Sequence, residues 1–106
     1  MMTALDALWG SILDEVSIDV VQQTASLAIR VPSASGPDTH HRLEFLGLTD
    51  VRFHNEIPSP WEYAELTEIR SRRTPEGRLM AELLLWSEEA TLVFEADTAV
   101  LDGGTL

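Results

Sequence analysis

Cysteine is absent from this 106-residue chain, and so is lysine: all seven basic side chains are arginines. Without cysteine the sequence offers no disulfide, no thiolate nucleophile and no zinc site built on thiolate ligands. Long apolar runs are missing as well, and nothing reaches the roughly 20 residues a membrane-spanning helix needs. Met1 to Ile29 contains no Arg or Lys, so the basic start of a secretory signal is lacking and a cytoplasmic protein is the default expectation. The G-x-S-x-G nucleophile elbow and the glycine-rich phosphate loop are not found. Positive charge is scarce: 18 acids against seven bases give a net charge of −11. Phosphate recognition normally requires a basic surface, so nucleic acid is a disfavoured partner. A basic protein is the natural complement.

What remains is an ordinary globular composition of a length suited to one domain, 1–106, with a single hydrophobic core. The segment Leu79-Met80-Ala81-Glu82-Leu83-Leu84-Leu85-Trp86 is apolar on both faces of a strand, which marks it as central. Its neighbours alternate. Val16, Ile18 and Val20 face one way, as do Leu27, Ile29 and Val31. A turn near Gln23-Thr24 sets Val20 against Leu27, Ile18 against Ile29 and Val16 against Val31. A turn over Gly47-Leu48-Thr49 sets Leu43 against Phe53, Phe45 against Val51 and Glu44 against Arg52. Thr74-Pro75-Glu76-Gly77 is a turn by its chemistry and sets Ile69 against Leu83 and Arg70 against Glu82. A further turn brings Leu92 beside Leu85 and Phe94 beside Leu83. A last strand over Ala99 to Asp102 returns against Phe94.

Before the strands, Leu5, Leu8, Trp9, Ile12 and Leu13 share one helical face, with Thr3 and Asp6 as a capping pair. The expected architecture is therefore mainly β. A helix over 3–13 precedes an antiparallel up-and-down meander of seven or eight short strands over 16–102, and 103–106 form a frayed tail. The meander curls toward a barrel or folds into a two-layer sandwich; an α+β arrangement with the helix packed on one sheet face is the alternative.

Candidate sites are few. The loop 54–65 holds two prolines, Trp61 and the only tyrosine, Tyr63, flanked by Glu62 and Glu65. Stiff loops with aromatic rings make good recognition surfaces. Met80, Leu84 and Trp86, with Leu66 and Val93 on neighbouring strands, would form an apolar second face. That face needs cover from the helix, a second copy of the chain or a partner. Arg70, Arg72, Arg73 and Arg78 form a candidate anion patch. His40, His54 and Glu56 fall on one outer face, but Arg42 between them opposes a cation, so no metal and no cofactor is expected. His41 faces the core side as a hydrogen-bonded edge residue. No carboxylate pair is set apart from a solvated surface, so no catalytic residue is assigned.

The reading that follows is a non-enzymatic interaction module that binds a protein partner, with a basic one as its electrostatic complement, or a second copy of itself, without nucleic acid or membrane. Size, acidity and the lack of a catalytic motif are compatible with small bacterial immunity or antitoxin-type proteins and with accessory subunits of larger assemblies. The alternative is a small ligand-binding or catalytic β-barrel lined by Leu83, Leu85, Phe94 and Phe53, with His41 or Arg73 as polar members.

Overall fold

The period-two alternation is realised as nine strands of one antiparallel sheet in the computed structural model, which describes residues 4–105. In chain order they are β1 (Ser11–Asp19), β2 (Thr24–Val31), β3 (Thr39–Leu46), β4 (Asp50–Asn55), β5 (Ala64–Arg73), β6 (Leu79–Leu85), β7 (Ala90–Ala96), β8 (Thr98–Leu101) and β9 (Gly104–Thr105). Across the sheet the order is β4-β7-β6-β5-β1-β2-β3-β8-β9, and the sheet is not closed. As expected, β6 is central, paired with β5 on one side and β7 on the other.

The sheet curls over one core. Ala25, Leu27 and Ile29 of β2, Leu43 and Phe45 of β3, Ala81, Leu83 and Leu85 of β6, and Leu92 and Phe94 of β7 are all buried on the inner face. Phe45 stacks on Phe94 with ring centroids 4.6 Å apart and planes 16° off parallel, which joins the two halves of the sheet. Such pairs contribute about 0.5–1.5 kcal/mol beyond their area.

The expected helix over 3–13 is not formed. Ala4–Leu8 make a short 3-10 turn and Ser11 is already strand; Thr3, the expected cap, lies outside the described residues. Gly10 takes φ +75°, a left-handed conformation that ends the turn. Its N–H donates to Leu66 O at 2.8 Å, and the buried Ser11 hydroxyl donates to Leu8 O. The chain is thus captured by β5 before a second turn can form. Leu5 and Leu8 enter the main core, and Ile12 and Leu13 pair with Glu65 and Ala64. Among the described residues no helix covers the second face of β6.

The hairpin expected between β3 and β4 is also replaced. β3 pairs with β2 and β8, whereas β4 pairs with β7. Leu46 pairs with Thr98 and Asp50 with Glu95, so β3 running into β4 stays beside β7 running into β8 through a bend. Leu46 O accepts from Asp97 N, and Glu95 O from Thr49 N, both at 2.9 Å. Gly47 has φ +67°, and a Cβ there would sit 2.6 Å from Asp97 Cγ, so only glycine fits the crossing. Arg78 clamps the bend: its guanidinium bonds Asp97 and donates to Gly47 O and Thr49 Oγ1, each at 2.8 Å. Arg73 donates to Asp97 O at 2.8 Å.

Registers elsewhere differ less. β5 and β6 pair as expected, Ile69 with Leu83 and Arg70 with Glu82. β1 and β2 are displaced by four residues, with Val16 opposite Leu27 and Ile18 opposite Ala25. Four is even, so the inward-facing set is preserved. β6 and β7 differ by two, with Leu83 opposite Leu92. β8 returns against β3, with Ala99 beside Phe45, and not against Phe94. Gly104 and Thr105 pair with Leu101 and Val100, so the tail expected to fray is a short strand up to Thr105.

Candidate functional site

The most distinctive surface arises where pairing stops early. β1 pairs with β2 along nearly its whole length, but with β5 only at Ser11, Ile12 and Leu13. The reason is local. β5 begins at Ala64, and the loop 56–63 before it starts beside the turn between β6 and β7, with Glu56 N donating to Glu89 O at 3.0 Å, and brings Trp61 back against Phe53 of β4. A bulge at Asp14 separates the two parts of β1. From Glu15 to Asp19 the side of β1 away from β2 therefore has no strand beside it among the described residues. β4 is in the same position: β7 is its one neighbour.

These two free edges flank an apolar cleft of about 350 Å3. Leu13, Val16 and Ile18 wall one side, Val51 and Phe53 the other, with Leu85 and Leu92 from the core at the base. Ile18 is 45% exposed and Phe53 59%, high values for inward-facing apolar residues. A second hollow continues past Val20, Leu48 and Asp50, sharing Ile18 and Val51 with the first. Leu48 N donates to Gln23 O at 2.8 Å across this lower end. At the tip of the β1–β2 turn, Val20 and Val21 are 81% and 87% exposed.

Aromatic rings close the upper end. Trp61 stands edge-on to Phe53 (6.0 Å) and to Trp86 (6.2 Å), and Tyr63 lies 5.8 Å from Trp86. The loop carrying Trp61 and Tyr63 starts in an Asx turn, with Asn55 Oδ1 accepting from Ile57 N at 2.8 Å. Trp86 reaches the cluster because β6 ends at Leu85 and the chain then takes three successive left-handed residues: Trp86, Ser87 and Glu88, with φ of 53°, 55° and 78°. The indole N–H groups of Trp61 and Trp86 are both buried without an acceptor among the described residues. Such orphans are rare and costly, about 1–3 kcal/mol each.

The charge around the cleft has one sign. Asp14, Glu15 and Glu62 line it, Asp19 and Asp50 line its continuation, and no basic residue lines either. Asp14 is paired with Arg30 at 3.1 Å and Asp50 with Arg52 at 2.8 Å. Glu15, Asp19 and Glu62 have no cationic partner among the described residues. Arg30 also bonds Asp38, and these hydrogen bonds hold the Asp38 carboxyl below its ordinary range and the guanidinium more firmly charged.

The residues expected to bind a partner divide. Trp61, Tyr63 and Trp86 come together, and Glu62 joins them at the cleft. Glu65 is exposed on β5, opposite Ile12. Met80 and Leu84 lie on the outer face of β6, away from the cleft; Leu84 is buried between Glu68 and Thr91 in register. Leu66 is fully buried in the core and not on the second face, because a bulge between Leu66 and Glu68 shifts the register of β5. The four arginines do not converge. Arg70 bonds Glu68 at 2.6 Å and reaches Glu88, Arg72 lies against the Met80 sulfur, and Arg73 and Arg78 serve the bend. Arg52, Arg70 and Arg72 do share a hollow of about 420 Å3 with Met80 and Glu82 on the outer face.

The histidines are also dispersed: His40 is opposite Arg30, and His54 is opposite Thr91. His41 Nδ1 contacts Asp102 at 2.7 Å, Asp102 accepts from Arg42 N at 2.8 Å, and His41 Nε2 lies 3.3 Å from Thr39 Oγ1. The His41 bond, then the Arg42 N–H, holds the Asp102 carboxyl below its ordinary range. This set fastens the end of β8 to β3. For the barrel reading, Leu83 and Phe94 are fully buried in the core, Leu85 and Phe53 line the cleft, and His41 and Arg73 stand elsewhere.

Sequence reasoning missed Val16, Ile18 and Phe53 as surface residues, since period two places them inward. The one available signal was Val20-Val21, two consecutive valines that break the alternation just before the expected turn. No protein-family model matches this chain, and no curated protein matches it either.

Proposed function

We propose that this chain is a non-enzymatic interaction module whose cleft between β1 and β4 receives part of a partner protein. The observation that carries this reading is the cleft itself, with inward-facing apolar side chains left exposed between two unpaired strand edges and acids on its rim. Exposed apolar surface rimmed by charge is the usual mark of an interaction site. Trp61 and Tyr63 provide stiff anchors at one end, and rings of this kind dominate binding energies. The acidic rim steers a basic partner and raises its encounter rate. The volume alone would also suit a small molecule. The two free edges favour a polypeptide, because backbone donors and acceptors there find their natural complement in another strand.

The test is to identify proteins that the wild-type chain retains and that Ile18→Asp and Phe53→Asp both lose, then to measure their binding directly. Each substitution is expected to weaken binding at least about tenfold. The association rate should fall about tenfold or more between low salt and 0.5 M. A partner indifferent to both substitutions would remove the cleft from the binding site.

A further inference from the structure

The geometry points to a definite occupant: a short extended segment of the partner, with apolar and basic side chains alternating, added as a strand to the free edge of β1. This deepens the reading above and rests on it. The available edge runs from Glu15 to Asp19, five residues, or roughly 17 Å at the rise of a strand. In an antiparallel pair, alternate residues turn their N–H and C=O groups away from the neighbour. Those groups on this part of β1 face the cleft, where no strand among the described residues reaches them.

The side chains specify the guest by the cross-strand rule. Val16 and Ile18 point inward beside Leu85 and Leu92, so guest residues facing them must be apolar. Glu15 and Asp19 point outward with Ser17 between them, and Glu62 stands at the upper rim. Guest residues on that side must be basic, since like charges across a ladder repel. β1 is preferred to β4 because the outer side of β4 carries Arg52 and His54 as well as Asp50. β4 and β1 are four antiparallel steps apart in the sheet and so run in the same sense. A guest antiparallel to β1 therefore meets β4 in the favourable sense too, with Val51 and Phe53 against its apolar face. Glu15 to Asp19 includes no proline, and its acidic side chains guard this edge against like-charged strands but not against a basic one.

The probe is a synthetic nine-residue peptide alternating lysine and valine, titrated into the 15N-labelled full chain. Its controls have the same composition with the lysines and valines in separate blocks, or glutamate in place of lysine. Alternate amides between Glu15 and Asp19 should exchange with solvent at least about tenfold more slowly in the complex. The alternating basic peptide should bind about tenfold more tightly than either control, and the double variant Glu15→Gln, Asp19→Asn should lose most of that advantage. Equal binding of the block peptide, binding without slowed exchange on β1, slowing confined to β4, or no binding at millimolar concentration would each overturn strand addition. Slowing that follows protein concentration without peptide would give the edge to a second copy of this chain and overturn the basic segment. If the peptide fails while Ile18→Asp and Phe53→Asp still abolish binding of a protein partner, the cleft remains a protein site and only the mode falls.

Discussion

At Gly47 two requirements meet in one residue: a left-handed backbone and no room for a methyl group beside Asp97. Gly47→Ala is expected to destabilise the protein by about 2–4 kcal/mol, combining the left-handed penalty with overpacking, and urea denaturation measures it. Ser87 presents the opposite case. It holds φ 55° without being glycine, in the middle of a left-handed run that lifts Trp86 into the aromatic cluster. Ser87→Gly should stabilise by about 0.5–1 kcal/mol, the relieved strain exceeding the added freedom of the unfolded chain. A lower denaturation midpoint would show that this turn carries no strain. Neither position was legible beforehand in these terms. Gly47 read as a turn residue, which it is, but of a bend that carries the chain onward instead of back. Trp86 read as a strand residue because its apolar neighbours continue the pattern, and local pattern has no term for a three-residue left-handed exit.

At the scale of elements, hairpins closed by strong turn chemistry were readable and pairings between distant strands were not. Thr74-Pro75-Glu76-Gly77 fixed the register of β5 on β6, with Thr74 N and Arg78 O joined at 2.8 Å. The β1–β2 turn has no such residues. It is instead held by Asp19 accepting from Gln22 N and by Gln23 at φ 56°, and its register was displaced while its facing was kept. The pairing of β8 with β3 depends on contacts far apart in sequence, Phe45 with Ala99 and, 61 residues apart, His41 with Asp102. That last contact makes the fastening of β8 sensitive to acid. Asp102 has a lower pKa folded than unfolded, so its contribution is complete above the ordinary carboxylate value of about 3.8 and is lost as pH falls through the lower folded value. Asp102→Asn, which tolerates the left-handed φ of 50° at this position, should be less stable than wild type at pH 7. The difference should shrink below about pH 3.8, read from denaturation midpoints across pH. A gap between the two proteins that stays constant with pH would show that the carboxylate charge is not what holds this clasp.

For the molecule as a whole, charge and exposed apolar surface work against each other. A net charge of −11 keeps copies apart, while Val20, Val21, Ile18 and Phe53 offer surface for them to share. Near the sequence isoelectric point of about 4.4 that repulsion vanishes. Light scattering should then show self-association between pH 4 and 5, with circular dichroism still reporting strand. The double variant Val20→Ser, Val21→Ser should associate markedly less; equal association would place the contact elsewhere. The candidate cleft was only half legible at this scale. Composition gave the acidity and the loop gave Trp61 and Tyr63, but the opening depends on where β5 stops pairing with β1, a property of the assembled sheet.

The bend between β3 and β4 has a consequence for how this surface can change. Three residues, Gly47, Leu48 and Thr49, set the parity of everything in β4. Adding or deleting one residue there would rotate the strand by half a period, sending Val51 and Phe53 outward and turning Arg52 and His54 in. One codon of insertion could thus exchange an oily wall for a cationic one while leaving the rest of the sheet untouched.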